Sequence, residues 1–101
     1  ADIYFDLPVA PWEAQLGATV MVPTPDGRVQ LSVPPGSPAG RKLRLKGKGL
    51  PGSPSGDRYA VLTLVLPPAA SVAEKDAYGA LSRAFPDYNP RAALEARSPW
   101  S

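Results

Sequence analysis

Up to Leu66, apolar side chains fall mostly at every second position, and the interruptions mark where the chain turns. Ile3, Phe5 and Leu7 alternate with Asp2, Tyr4 and Asp6, the two-residue period of a strand with one buried face, and Pro8 is expected to close it. Pro11 suits the first position of a helix, Trp12 to Leu16 holds good helix formers, and Gly17 supplies a stop, which predicts one or two helical turns. Trp12 and Leu16, four residues apart, share a face and are expected to plug the core. The alternation resumes at Val20 and Val22, breaks over Pro23-Thr24-Pro25-Asp26-Gly27, and returns at Val29, Leu31 and Val33 with Arg28, Gln30 and Ser32 facing the other way. This pattern predicts a hairpin with Asp26-Gly27 in its turn.

The run Pro34-Pro35-Gly36-Ser37-Pro38-Ala39-Gly40 reads as a loop, and Leu43 and Leu45 interleaved with Lys42, Arg44 and Lys46 predict the next strand. A second glycine-rich loop is expected from Gly47 to Gly56. Tyr59 to Leu66 is apolar at both alternating sets of positions apart from Thr63, which predicts a central strand covered on both faces and ended by Pro67-Pro68. Ser71-Val72-Ala73-Glu74 then matches the capping box, in which the serine hydroxyl accepts from the amide three residues on and the glutamate reaches back to the serine amide. Ala77, Tyr78, Leu81, Ala84 and Phe85 follow at helical spacing, Lys75 and Arg83 lie elsewhere on the wheel, and Pro86 ends the helix near residue 85. Residues 87–101 are expected to form a tail, anchored if at all by Tyr88, Leu94 and Trp100. The organisation is therefore a mainly β domain over 1–68, an amphipathic helix within 69–86, and a tail.

Composition removes whole classes of chemistry. A length of 101 residues fits one ordinary domain, and 14 prolines argue for short elements joined by tight loops. With no Cys, disulfides, cysteine-held zinc, iron–sulfur clusters and thiol catalysis are excluded; with no His, so are the Ser-His-Asp triad and histidine–metal sites. No enzyme activity, cofactor or metal is expected. No apolar run is long enough to span a bilayer and the start of the chain has no leader pattern, so the expectation is a soluble, cytoplasmic protein without a membrane partner. The absence of an initiator Met, with a strand pattern beginning at once, suggests a piece of a longer protein.

Three signals could carry chemistry. Gly47-Lys48-Gly49-Leu50-Pro51-Gly52 has the spacing of a dinucleotide-binding loop, but a pyrophosphate cradle needs a helix starting inside the motif, and Ser53-Pro54-Ser55-Gly56-Asp57 leads into a strand. A glycine-rich connection between strands is the better reading. Second, the net charge of +2 conceals a basic middle: Arg28, Arg41, Lys42, Arg44, Lys46, Lys48 and Arg58 face the single acid Asp57 between residues 28 and 58. Arg41, Lys42, Arg44, Lys46 and Lys48 could neutralise phosphates of duplex DNA. The commoner use of such a stripe is to keep an edge strand from pairing with other chains, and no aromatic residues are interleaved with it along the sequence. Third, Tyr78, Leu81 and Phe85 form an apolar stripe that could pack on its own domain or pair with a second copy. Pairing is favoured, because a helix after a Pro-Pro break has little domain left to cover. The nine carboxylates are scattered and propose no acid/base pair.

Taken in order, Leu7-Pro8-Val9-Ala10-Pro11-Trp12-Glu13-Ala14-Gln15-Leu16-Gly17, Val22-Pro23-Thr24 with Asp26-Gly27, Pro34-Pro35-Gly36 with Gly40, Leu43-Arg44-Leu45-Lys46-Gly47-Lys48-Gly49-Leu50-Pro51 and Gly56-Asp57-Arg58-Tyr59 resemble the C-terminal domain of DnaJ-type co-chaperones. Ala-Pro-Trp-Glu-Ala at residues 10–14 and Asn89-Pro90-Arg91 look most like the bacterial curved-DNA-binding branch that lacks the zinc insert. The resemblance implies a small two-sheet β sandwich with one short helix and a C-terminal amphipathic helix: the second of two C-terminal β domains over 1–68, then a dimerisation helix using Tyr78, Leu81 and Phe85. It implies a homodimer that holds unfolded polypeptide clients for the seventy-kilodalton heat-shock chaperone, in the cytoplasm or at the nucleoid, with contact to that chaperone made by a J-domain. Without His the chain has no His-Pro-Asp tripeptide and is not itself a J-domain. The resemblance assigns no client-contacting residue here.

Overall fold

The structure, a computed structural model, describes residues 2–25, 27–45 and 56–97. Two compact units divide the chain, residues 1–67 and 68–101. The first holds β1 (Ile3–Val9), α1 (Pro11–Leu16), β2 (Ala18–Thr24), β3 (Gly27–Val33), β4 (Lys42–Leu45) and β5 (Arg58–Leu64); the second holds α2 (Val72–Ala84) and α3 (Ala92–Arg97).

Two sheets make up the first unit, a three-stranded one in the order β1-β5-β4 and the hairpin β2-β3. β1 and β5 run parallel with Ile3 opposite Arg58 and Val9 opposite Leu64, while β4 is antiparallel to β5 with Arg44 opposite Tyr59. β5 is thus the central strand of its sheet, as its apolar run predicts. Only one of its faces is buried, however: Ala60 and Leu62 point into the core, whereas Val61 is half-buried and Thr63 exposed. The strand also stops at Leu64, ahead of Pro67-Pro68.

The period-2 positions close the space between the sheets. Val22 and Leu31 from the hairpin pack with Leu45 and Ala60, and Val9, Val33 and Leu62 pack with Ala14 of α1. Pro8 does not end β1. The amide of Ile3 donates to Asp57 and the carbonyl of Val9 accepts from Val65, so odd-numbered residues of β1 face β5 and the nitrogen of Pro8 faces the open edge, where no ladder bond is lost.

α1 forms where Pro11 and Gly17 predict it, yet Trp12 and Leu16 do not plug the core; they are 58% and 77% exposed. Ala14 enters instead, because a short side chain lets this brief helix lie close to the sheet. The loop 34–40 seals the helix end: the amides of Gly36 and Ser37 donate to the carbonyls of Gln15 and Ala14 at 3.0 and 2.8 Å, satisfying acceptors that a helix terminus leaves open. Gly17 has φ +84°, and a Cβ there would lie 3.0 Å from the Pro35 ring, so this position requires glycine.

In the second unit, α2 begins at the expected capping box and ends at Phe85. The segment expected to be a tail contains α3, introduced by Asn89, whose side-chain oxygen accepts from the Arg91 amide at 3.0 Å and whose amide group donates to Glu95 at 2.8 Å. Tyr88 and Leu94 anchor nothing, being 73% and 66% exposed, and Trp100 lies outside the described residues.

Candidate functional site

The strand period that buries Leu43 and Leu45 turns Lys42 and Arg44 outward, as the sequence predicts for the basic stripe. Lys46 and Lys48, and the glycine motif that begins at Gly47, lie outside the described residues. Arg41 just precedes β4 and is held by its neighbours: Gly40 and Arg41 continue the pairing with β5 through bonds to Leu62, and the Arg41 guanidinium donates to Ser37 Oγ at 3.4 Å. Ser37 is itself fully buried. The stripe is not a row of unbalanced cations, because Arg44 places Nε and Nη2 both 2.6 Å from Asp57 Oδ2.

Register then supplies what linear sequence conceals. Tyr4 of β1, Tyr59 of β5 and Arg44 of β4 form one cross-strand row on the outer face, with Asp6, Val61 and Lys42 forming the next. The two tyrosine rings stack with centroids 4.9 Å apart at 13°, and Lys42 Nζ lies 5.4 Å from the Tyr4 ring centre. An offset aromatic pair with a cation over it is a favourable arrangement in its own right. Aromatic residues therefore do accompany the stripe, contrary to the linear reading. The period-2 alternation already put Tyr4 on the outer face of β1; what it lacked was the pairing of β1 with β5. Asp6 and Asp57 sit on or beside the same face, so its charge is mixed.

The second candidate surface is on α2. Ser71 Oγ accepts from the Glu74 amide at 3.0 Å, and Glu74 Oε1 accepts from the amides of Ser71 and Ala70 at 2.7 and 3.0 Å. The bond from the Ser71 amide, with those from Ala70 and the Ser71 hydroxyl, holds the Glu74 carboxyl below the usual glutamate range. At 100° per residue, Tyr78, Leu81 and Phe85 project within about 60° of one another. Tyr78 is half-buried, Leu81 and Phe85 are 50% and 60% exposed, and no residue of α2 is buried. Among the described residues no cluster of acidic side chains could hold a metal ion, and no helix is long and apolar enough to cross a membrane.

Residues 1–67, the whole β unit, match the family described as DnaJ C terminal domain. The chain belongs to that family. Its relatives include the curved DNA-binding protein of Coxiella burnetii, 46% identical over 93 residues that cover 92% of this chain and 29% of the relative. The curved DNA-binding protein of Salmonella arizonae is 46% identical over 91 residues, 89% of this chain and 30% of its own length. The chain thus spans under a third of the relatives it matches. Membership of the DnaJ C-terminal family agrees with the resemblance carried by the proline and glycine motifs, and it places the chain in a co-chaperone family with bacterial relatives. The alignment with these relatives extends well past the β unit, since 93 residues exceed the 67 of the family match.

Proposed function

We infer that this chain is a dimerising, client-holding C-terminal domain of a DnaJ-type co-chaperone, which supports delivery of unfolded polypeptide to the seventy-kilodalton heat-shock chaperone. The observation that carries the reading is α2: a well-capped helix with its apolar residues on one side and none of them buried. A helix of 13 residues is marginal by itself in water, and tertiary or quaternary packing of such a face is its ordinary source of stability. Pairing of two copies through Tyr78, Leu81 and Phe85 supplies that packing, and a dimer presents two β units to one client.

Because these side chains are already about half covered, burying them from both copies contributes on the order of 5–9 kcal/mol, at roughly 1.5–3 kcal/mol for each full burial. Association costs an estimated 4–15 kcal/mol. The stripe alone therefore supports weak, concentration-dependent pairing. Sedimentation of the Leu81→Asp, Phe85→Asp variant tests it: the expected outcome is a monomer with unchanged strand signal in circular dichroism. Loss of the strand signal would show that the stripe belongs to the core of the chain's own fold, and a persistent dimer would place the pairing elsewhere.

A second reading, binding of duplex DNA, is favoured by the printed name of the relatives and by the cations Arg41, Lys42 and Arg44 on one side of the sheet. Contacts to several phosphates lose orders of magnitude in affinity between about 50 and 200 mM salt, whereas polypeptide held by strand addition and apolar contacts changes little. Replacing Lys42, Arg44 and Lys46 together with Ser should flatten the salt dependence of DNA retardation by about two to three contacts' worth. Arg44 contributes the least because Asp57 competes for it. No retardation of the unmodified chain at low salt would leave the stripe as edge protection.

A further inference from the structure

We propose that one end of the β unit, formed by Trp12 and Leu16 of α1 and by Leu64, Val65 and Leu66 beyond β5, is a second contact surface for another copy of this chain. β1 and β5 are parallel and finish in register, Val9 beside Leu64, and the Val65 amide donates to the Val9 carbonyl at 3.0 Å. The helix after β1 and the segment after β5 therefore leave the sheet at the same end. What they carry there is apolar and open: Trp12, Leu16 and Leu66 are 58%, 77% and 71% exposed, and Leu64 and Val65 nearly half. Single exposed apolar residues are common on protein surfaces, but five at one end of one small unit are not.

The occupant follows from area. A stable protein–protein interface takes about 800 Å² from each partner. The α2 stripe offers one half-exposed leucine and two partly covered aromatic rings, and with about 150–250 Å² for a whole aromatic side chain it supplies on the order of 300 Å² per copy. On the same scale Trp12, Leu16 and residues 64–66 add on the order of 600 Å², which brings the total to what a stable dimer uses. Two apolar surfaces on one chain, each too small alone and sufficient together, fit a second copy of that chain better than two unrelated partners. Trp12 is also the kind of residue that anchors interfaces, large, stiff and surrounded by smaller apolar groups. The proposal rests on the pairing of α2 and extends it.

The test uses the 101-residue chain. Dimer dissociation constants would be measured by sedimentation for the chain, for Trp12→Ser with Leu16→Ser, and for Leu81→Asp with Phe85→Asp. The expected result is at least a 100-fold weaker dimer for the α1 variant, with the strand signal intact because neither side chain is in the core. A dimer of unchanged affinity in the α1 variant, beside a monomeric α2 variant, would overturn this proposal and leave the α2 reading standing. A dimeric α2 variant would overturn the α2 reading instead, and a chain that never dimerises would overturn both. Should the α1 variant fail to fold, Trp100→Phe leaves Trp12 as the only tryptophan: its emission should shift to shorter wavelength as concentration rises through the dissociation constant. Emission independent of concentration would overturn the proposal.

Discussion

The two units of this chain solve the same problem in opposite ways. Residues 1–67 turn alternating sequence into two sheets and bury Val9, Val22, Val33, Ala60 and Leu62 almost completely between them. Residues 68–101 turn helical spacing into α2 and α3 and bury nothing. The first unit carries its own source of stability. The second has the local signals of a helix, a capping box and a stripe, without the packing that usually makes such a helix last. Good local coding and a buried core are separate properties, and a chain that has one without the other points to contacts it makes with something else.

The sharpest break in this comparison is a matched pair of truncations. Leu62→Ala, at 2% exposure and within the inner cluster, should cost about 2–5 kcal/mol in chemical denaturation of the β unit. Leu81→Ala should leave that transition unmoved and weaken self-association instead. If both substitutions shift the same unfolding transition, the two units are one cooperative body and the contrast fails.

A smaller effect is expected at Gly17, where α1 meets the loop 34–40. Gly17→Ala places a methyl against Pro35 at a backbone angle that side chains rarely adopt, and should destabilise the β unit by about 1–3 kcal/mol in the same denaturation experiment. An unchanged midpoint would mean that the loop yields freely, and that the clamp on Ala14 and Gln15 contributes nothing.

The smallest effect belongs to the capping box. Ser71→Ala should lower the stability of α2 by about 1 kcal/mol, read as lost helical signal in circular dichroism, and leave the β unit untouched. The acid response has a defined sign. Glu74 is held below the ordinary value of 4.5, so its contribution is full above pH 4.5 and is lost as pH falls through the lowered value. Helical signal from α2 should therefore fade only below pH 4.5, and Glu74→Gln, which keeps an acceptor without the charge, should flatten that response.

Much of the β unit is legible because a two-residue period leaves only one way to choose the inner face: Phe5 and Leu7, Val22, Leu31 and Val33, and Leu43 and Leu45 all point where the alternation puts them. Trp12 and Leu16 failed the same reading for a geometric reason. Four-residue spacing says that two side chains share a helix face without saying which face meets the sheet, and here the close approach selected Ala14. Tyr4 and Tyr59 were hidden by distance along the chain, since only the parallel pairing of the first and last strands brings their rings together. α3 was hidden by Pro86 and Pro90, read as breakers. Asn89-Pro90 is instead a start signal, with the asparagine capping and Ala92–Arg97 supplying good helix formers.

The position of β5 between β1 and β4 also governs how the unit can be built on the ribosome. β1 emerges first but has no hydrogen-bonding neighbour until β5 arrives, because the strand beside it is the last to be made. At about 5–20 residues per second, the wait from residue 3 to residue 58 is on the order of 3–11 s. During that interval Ile3, Phe5 and Leu7 stay unpaired, and the hairpin β2-β3 is the only sheet whose partners are adjacent in synthesis. A ribosome stalled before residue 58 would therefore hold a nascent chain with a formed hairpin and a sticky, unsatisfied leading strand. This domain passes through a stage in which it is itself a substrate for the kind of holding activity its family provides.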